Sequence, residues 1–161
     1  MVRQELHNGT GEELYVVFKL AQEEFGAKVC HVREVIKLPD ITKIPQSKDF
    51  VEGMINIRGM VIPVVNLKQR LGLGCDIKPS SKILIMELGE SNIGLIVDHV
   101  DEVLRVQNEH VKHPPRLACA CDNRYIDGIV YHNEEMVILL NLSLIFRESE
   151  KEELLLLAKR E

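Results

Sequence analysis

Tryptophan is absent from these 161 residues, and aromatic side chains make up only 4% of them. Nor is there a dense run of Lys and Arg: 20 basic side chains face 25 acidic ones, for a net charge of -5. Neutralising phosphates requires a basic surface, so nucleic acid is not an expected partner. No apolar stretch approaches the roughly 20 residues that cross a bilayer, and the opening MVRQELHNGTGEEL has no apolar signal core. The expectation is a cytoplasmic protein without direct membrane insertion, its four cysteines reduced. Those cysteines, Cys30, Cys75, Cys119 and Cys121, lack zinc-ribbon spacing. His110, His113, Cys119 and Cys121 form H-x2-H-x5-C-x-C, the right donor types for a tetrahedral zinc. A single residue between the thiols makes a poor chelating pair, however, and structural cysteines are the simpler reading. Also missing are G-x-S-x-G, a Walker loop and a dinucleotide fingerprint, so neither an enzyme nor a cofactor is expected.

What is present is a duplication. FGAKVCHVREVI (Phe25 to Ile36) overlays IGLIVDHVDEVL (Ile93 to Leu104) at a constant offset of 68, sharing Gly26/Gly94, Val29/Val97, His31/His99, Val32/Val100, Glu34/Glu102 and Val35/Val103. FVEGMINIRGMVIPVVNL (Phe50 to Leu67) overlays YIDGIVYHNEEMVILLNL (Tyr125 to Leu142) at an offset of 75, sharing Gly53/Gly128, Asn66/Asn141 and Leu67/Leu142. A half of about 70 residues is marginal with a core of its own, and packing two halves together solves that problem. Residues that differ between the copies become the candidates for function.

Strand signals dominate. LYVVFKL (Leu14 to Leu20) and KILIMEL (Lys82 to Leu88) are aliphatic runs, each followed by a polar turn and a second run opening at Gly26 or Gly94, so each copy begins with a hairpin. MVIPVVNL and MVILLNL are further strands, and Pro63 belongs on an edge or at a bulge. Ser47 ahead of KDFVEGMI suits the N-cap of a short helical turn. Ser149 with Glu152 makes a capping box for a terminal helix with basic residues in its last turn. The expected fold is all-β with minor helix: two small five-stranded, SH3-like β-barrel subdomains about an internal pseudo-twofold, plus a C-terminal helix. Within one domain, residues 13–71 form the first repeat, 72–81 a linker, 82–146 the second repeat and 147–161 the helix. Met1 to Glu12 is expected to be mobile. Barrel closure would remove sheet edges. Exchange of strands between the halves stays open, because every strand has two equivalent places to pair.

The segment NIRGMVIPVVNLKQRLGL (Asn56 to Leu73), with FVEGM before it, VREVI upstream and GLIVDHVDEVL downstream, resembles the chemotaxis coupling (adaptor) protein CheW family. The resemblance runs from about Glu13 to Phe146. It implies two five-stranded barrels, no catalysis, and an adaptor joining the cytoplasmic tips of transmembrane chemoreceptors to the histidine kinase CheA, at receptor arrays on the inner face of the membrane. The same module forms the regulatory domain of that kinase, which would let the two pack barrel to barrel. By resemblance the receptor-contact positions are Val32, Glu34, Gly53, Asn56, Arg58 and Gly59. Val61 is expected in an apolar groove with one of Val97 and Val100. Asn66 departs from the family's usual Asp, matches its own repeat Asn141, and is assigned no binding role.

The residues themselves agree with an adaptor. Arg58 and Gly59 overlay Asn133 and Glu134, so the fold does not demand them. Gly59 suits a positive φ, and Arg58 offers a planar fork of donors for carboxylates or carbonyls. A local salt bridge from Arg58 to Glu52 or Glu34 is the structural alternative, and the two roles are compatible. The competing class is a metal or enzyme site built from His31, Glu34, His99 and Glu102. Strand geometry opposes it, since residues three apart point to opposite faces.

Overall fold

In the computed structural model, which describes residues 11–45, 50–113 and 124–158, the aliphatic runs that open each copy form hairpins. Strand β1 (Glu12–Leu20) returns as β2 (Glu23–Lys28), and β6 (Lys82–Leu88) returns as β7 (Ser91–Val97). The first copy adds β3 (Val32–Lys37), β4 (Val51–Ile57) and β5 (Met60–Asn66). The second adds β8 (His99–Gln107), β9 (Ile126–His132) and β10 (Glu135–Leu140). One helical turn, α1 (Leu67–Arg70), follows β5, and a 3-10 turn at Leu142–Leu144 takes the same place after β10. The repeated asparagines cap these turns. Gln69 N donates to Asn66 Oδ1 at 3.4 Å and Ser143 N to Asn141 Oδ1 at 3.1 Å, which accounts for Asn66 as a residue of the fold.

Pairing yields two five-stranded sheets: sheet I, in the order β8-β1-β2-β10-β9, and sheet II, in the order β3-β6-β7-β5-β4. Replacing each strand of sheet I by its repeat gives sheet II. The registers agree as well. Val17 faces Gly26 as Ile85 faces Gly94, Leu139 faces Gly26 as Val64 faces Gly94, and Leu139 faces Gly128 as Val64 faces Gly53. Each sheet mixes the copies, hairpin β1–β2 completing β8, β9 and β10 while hairpin β6–β7 completes β3, β4 and β5. The sheets therefore do not follow the boundaries 13–71 and 82–146 of the repeats. The chain crosses from sheet I to sheet II at Val29–His31 and back at Asp98, around equivalent positions of the repeat.

These SH3-like subdomains are not closed barrels. Sheet I keeps β8 and β9 as edges and sheet II keeps β3 and β4, with no pairing between those edges among the described residues. Covering replaces closure: Thr42 bridges to Met54 on β4, and Lys112 to Ile129 on β9. Pro63 lies in an inner strand rather than on an edge. It is tolerated because the ladder from β5 to β7 begins one residue later, at Val64.

Two small equivalent apolar clusters belong to the separate sheets: Ile55, Ile62, Val64, Ile83, Ile85 and Ile96 in sheet II, and Tyr15, Val106, Val130, Val137 and Leu139 in sheet I. Burial pushes the Tyr15 phenol well up, with Asp127 and Glu13 adding to the shift. The largest cluster draws on both sheets, Phe18, Leu20 and Phe25 meeting Leu84, Met86 and Leu95. Helix α2 (Glu148–Ala158) docks there through Leu154 and Leu157, against β5 and β7. Its cap lies earlier than the Ser149/Glu152 pair suggests. Arg147 N donates to Glu150 Oε1 at 2.8 Å, and Arg70 Nη2 reaches the same oxygen at 2.8 Å, tying α1 to α2. Within KDFVEGMI, Val51 opens β4, while the turn that Ser47 would cap falls on 46–49, which, like the basic residues Lys159 and Arg160 and 1–10 of the N-terminal segment, lie outside the described residues.

Candidate functional site

On sheet II the hairpin from β4 to β5 turns through Arg58 and Gly59, both at positive φ (50° and 84°), the geometry of a two-residue type I′ turn. Asn56 fixes the turn, its Oδ1 accepting from Gly59 N at 3.1 Å. Arg58 is 70% exposed, and its guanidinium pairs with the Glu34 carboxylate on β3. A bulge at Arg33 puts Arg33 and Glu34 on one side of the sheet, and Arg33 Nη1 meets Glu87 Oε2 at 3.2 Å. Together these side chains wall a cleft of about 220 Å³ floored by Ile57, Ile62 and Ile85. Its chemistry is an oriented Arg fork beside carboxylates and apolar surface, suited to a helix or strand carrying both kinds of group.

Sheet I repeats the cleft with other residues. Asn133 and Glu134 make the same turn, at φ of 53° and 65°. Glu102, the repeat of Glu34, is met by His132 Nε2 at 3.2 Å, and His99 Nε2 meets Asp101 Oδ1 at 3.0 Å. The cleft is larger, about 430 Å³, and acidic, with Glu24 and Glu135 added to Asp101 and Glu102. Desolvation raises the Glu24 pKa, and the neighbouring Glu135 and Asp101 carboxylates raise it further. A carboxyl group whose folded pKa is raised favours folding while protonated and loses that contribution as pH climbs above its ordinary value of 4.5. Glu24→Gln is therefore expected to melt at a higher temperature than the parent protein at pH 7 and level with it below pH 4. A gain of equal size at both pH values would trace to packing instead.

With this geometry in place, comparison with known proteins is decisive. The model of the CheW-like domain matches residues 14–150. The chain belongs to the CheW-like domain family. It is 30% identical to the chemotaxis protein CheW of Treponema pallidum over 144 residues, which cover 86% of this chain and 85% of that one. It is 32% identical to the Thermotoga maritima chemotaxis protein CheW over 133 residues, covering 81% and 85%. The crystal structure of the scaffolding protein TtCheW from Thermoanaerobacter tengcongensis aligns with a TM-score of 0.76 at 37% identity, covering 88% of this chain and 92% of that one.

Of the positions that the CheW-like resemblance singles out, the structure brings Glu34 of β3 to Arg58, and Asn56 to Gly59 within the exposed hairpin of β4 and β5. Val61 lies opposite Asn56 on β5, and both it and Val32 are half-buried against the shared core. Val100 joins them there, whereas Val97 is fully buried. Gly53 does not belong to the exposed group. It is buried, and a Cβ added to it would lie 2.4 Å from the Thr42 carbonyl oxygen, so the crossing segment demands glycine there. Arg33 and Glu87 escaped the sequence reading, because only the bulge turns Arg33 toward the cleft. The proposed metal quartet is not assembled: Glu34 is taken by Arg58, Glu102 by His132 and His99 by Asp101. Among the described residues no group of three or more His, Cys, Asp or Glu side chains is arranged to hold an ion. Cys119 and Cys121, the thiols of the zinc candidate, lie outside the described residues.

Proposed function

We propose that this chain is an adaptor that couples the cytoplasmic tips of transmembrane chemoreceptors to the regulatory domain of the histidine kinase CheA, without chemistry of its own. It would act at the inner face of the membrane, recruited into receptor arrays. Among the described residues no helix is long and apolar enough to cross a membrane. The observation that carries the reading is the asymmetry of two otherwise equivalent clefts in a member of the CheW-like family: the turn that presents Arg58 over Glu34 in one copy presents Asn133 in the other. An Arg held by an internal carboxylate loses little further freedom on meeting a partner's acceptors. Small contacts of this kind gain strength when many are linked in an array.

The test compares Arg58→Ala with Asn133→Ala in binding to a receptor-tip fragment. Arg58→Ala is expected to weaken binding by roughly 1.5–3 kcal/mol, the range for hydrogen bonds to charged groups. Its melting temperature should barely move, since an exposed ion pair contributes at most about 1 kcal/mol. Asn133→Ala should do much less to binding. Equal effects on receptor association, or unfolding of Arg58→Ala, would make Arg58 a structural residue.

A further inference from the structure

Because the two sheets have one topology and one register, a second way of folding this sequence exists on paper. Hairpin β1–β2 would pair with β3, β4 and β5 of its own copy, and β6–β7 with β8, β9 and β10. Much of the apolar interface cannot tell the arrangements apart. Val64 lies opposite Gly94, and in the alternative would lie opposite Gly26, another glycine among apolar neighbours. The crossings are of equal length, since no gap separates the copies there.

An exposed pair discriminates weakly, Arg33 with Glu87 across β3 and β6, where the alternative would offer Arg33 the repeat residue Lys19, and one buried position discriminates strongly. The parallel ladder of β5 and β7 pairs Asn66 with Ile96, and two residues on it sets Lys68 beside Asp98. The Lys68 side chain is 4% exposed, and its Nζ lies 2.8 Å from Asp98 Oδ1 and 3.0 Å from Oδ2. Asp98, 12% exposed, also accepts from Ala21 N at 2.6 Å, so the pair sits where the chain leaves sheet II for sheet I. In sheet I, where the ladder ends with Leu140 opposite Ala27, the repeat equivalents of Lys68 and Asp98 are Ser143 and Cys30, neither of them a partner for a buried charge. The unexchanged fold would reverse the pairing, leaving buried Lys68 beside a thiol and Asp98 beside a hydroxyl. Asp76, 64% exposed and 3.0 Å from Lys68, follows Lys68 along its own copy and so favours neither arrangement.

We propose that Lys68 and Asp98 select the exchanged topology, acting as a matched pair that decides which copy's hairpin completes which sheet. Attraction between apolar faces is non-directional, whereas a buried Asp98 carboxylate stripped of its cation, with Lys68 left only the exposed Asp76, is strongly disfavoured. A buried ionic pair on one side of a pseudo-symmetric molecule therefore weighs most in separating two arrangements that share much of their apolar packing, as a lone polar residue fixes register in a coiled coil.

The test moves the charges. In the double variant Lys68→Ser with Ser143→Lys, lysine finds its carboxylate only in the unexchanged fold. Adding Cys30→Asp and Asp98→Cys rebuilds the pair, on the opposite side, for the exchanged fold. The double variant is expected to melt roughly 10 °C lower, as for a broken buried pair in a chain of this size. Its NMR spectra should gain backbone contacts of Val64 with Gly26 and of Leu139 with Gly94. The fourfold variant should recover both the melting temperature and the parent contacts of Val64 with Gly94. Two outcomes would overturn the proposal: a double variant that keeps the parent melting curve and contacts, or a fourfold variant that recovers neither. Should the double variant fail to fold, the fourfold variant alone decides between them.

Discussion

Expressed separately, the fragments Met1–Lys78 and Pro79–Glu161 are expected to remain unfolded, and mixing them in equal amounts to restore a cooperative fold. The cut falls in the segment between α1 and β6, where neither helix nor strand is interrupted. Each fragment supplies two strands to one sheet and three to the other, so neither completes a sheet of the exchanged fold, and in the unexchanged one Lys68 and Asp98 are parted. The largest apolar cluster is likewise divided, Phe18 and Phe25 coming from one fragment and Leu84, Met86, Leu154 and Leu157 from the other. A piece of about 80 residues deprived of that cluster falls below what a small core sustains. Circular dichroism and NMR of each fragment alone, then of the mixture, provide the measurement. A cooperative melt from either fragment on its own would mean that the repeats are separable units, contrary to the pairing of β1 with β8.

Gly53→Ala should cost about 3 kcal/mol or more, since the new methyl group meets backbone rather than a yielding side chain. The nearest atom is the Thr42 carbonyl oxygen at 2.4 Å, and Thr42 is anchored by two 2.8 Å hydrogen bonds to Met54. For a domain of this size that is a fall in melting temperature of roughly 6–12 °C. Gly59→Ala is the control. Its φ of 84° makes any side chain costly by roughly 1–2 kcal/mol, but nothing lies within 4 Å of the added atom. Receptor binding normalised to the folded fraction should survive Gly53→Ala. A stable Gly53→Ala protein that fails to bind would return Gly53 to the contact surface.

The hairpins, the glycine pairs and the matching of the two halves were legible because strand alternation and internal repetition are written residue by residue. Arg58 beside Glu34 was legible as one of two possible ion pairs, since a turn and a strand of one copy lie close whenever the copy folds. Exchange of the hairpins was not. Gly26 and Gly94 sit in the same local pattern, and what separates them are contacts made only in the folded chain, Lys68 with Asp98, 30 residues apart, and Arg33 with Glu87. Gly53, named as a contact position by resemblance alone, lies beneath Thr42, and its match with Gly128 already set it among the residues common to both copies. Ser149 and Glu152 have the right spacing for a cap. Glu150 prevails by also serving Arg70, a tertiary contact that no window of sequence contains.

The interleaving of strands also sets a timetable for synthesis. As the chain leaves the ribosome, β1 and β2 come first, yet their neighbours β8 and β10 are His99–Gln107 and Glu135–Leu140. Sheet II needs nothing beyond Val97 and is ready sooner, with the Arg58 hairpin already placed. Phe18 and Phe25 meanwhile wait for β8 and β10 to emerge. Such long-range pairing is slow and leaves the nascent hairpin open to aggregation, so strands made before their partners are among the last to be seated.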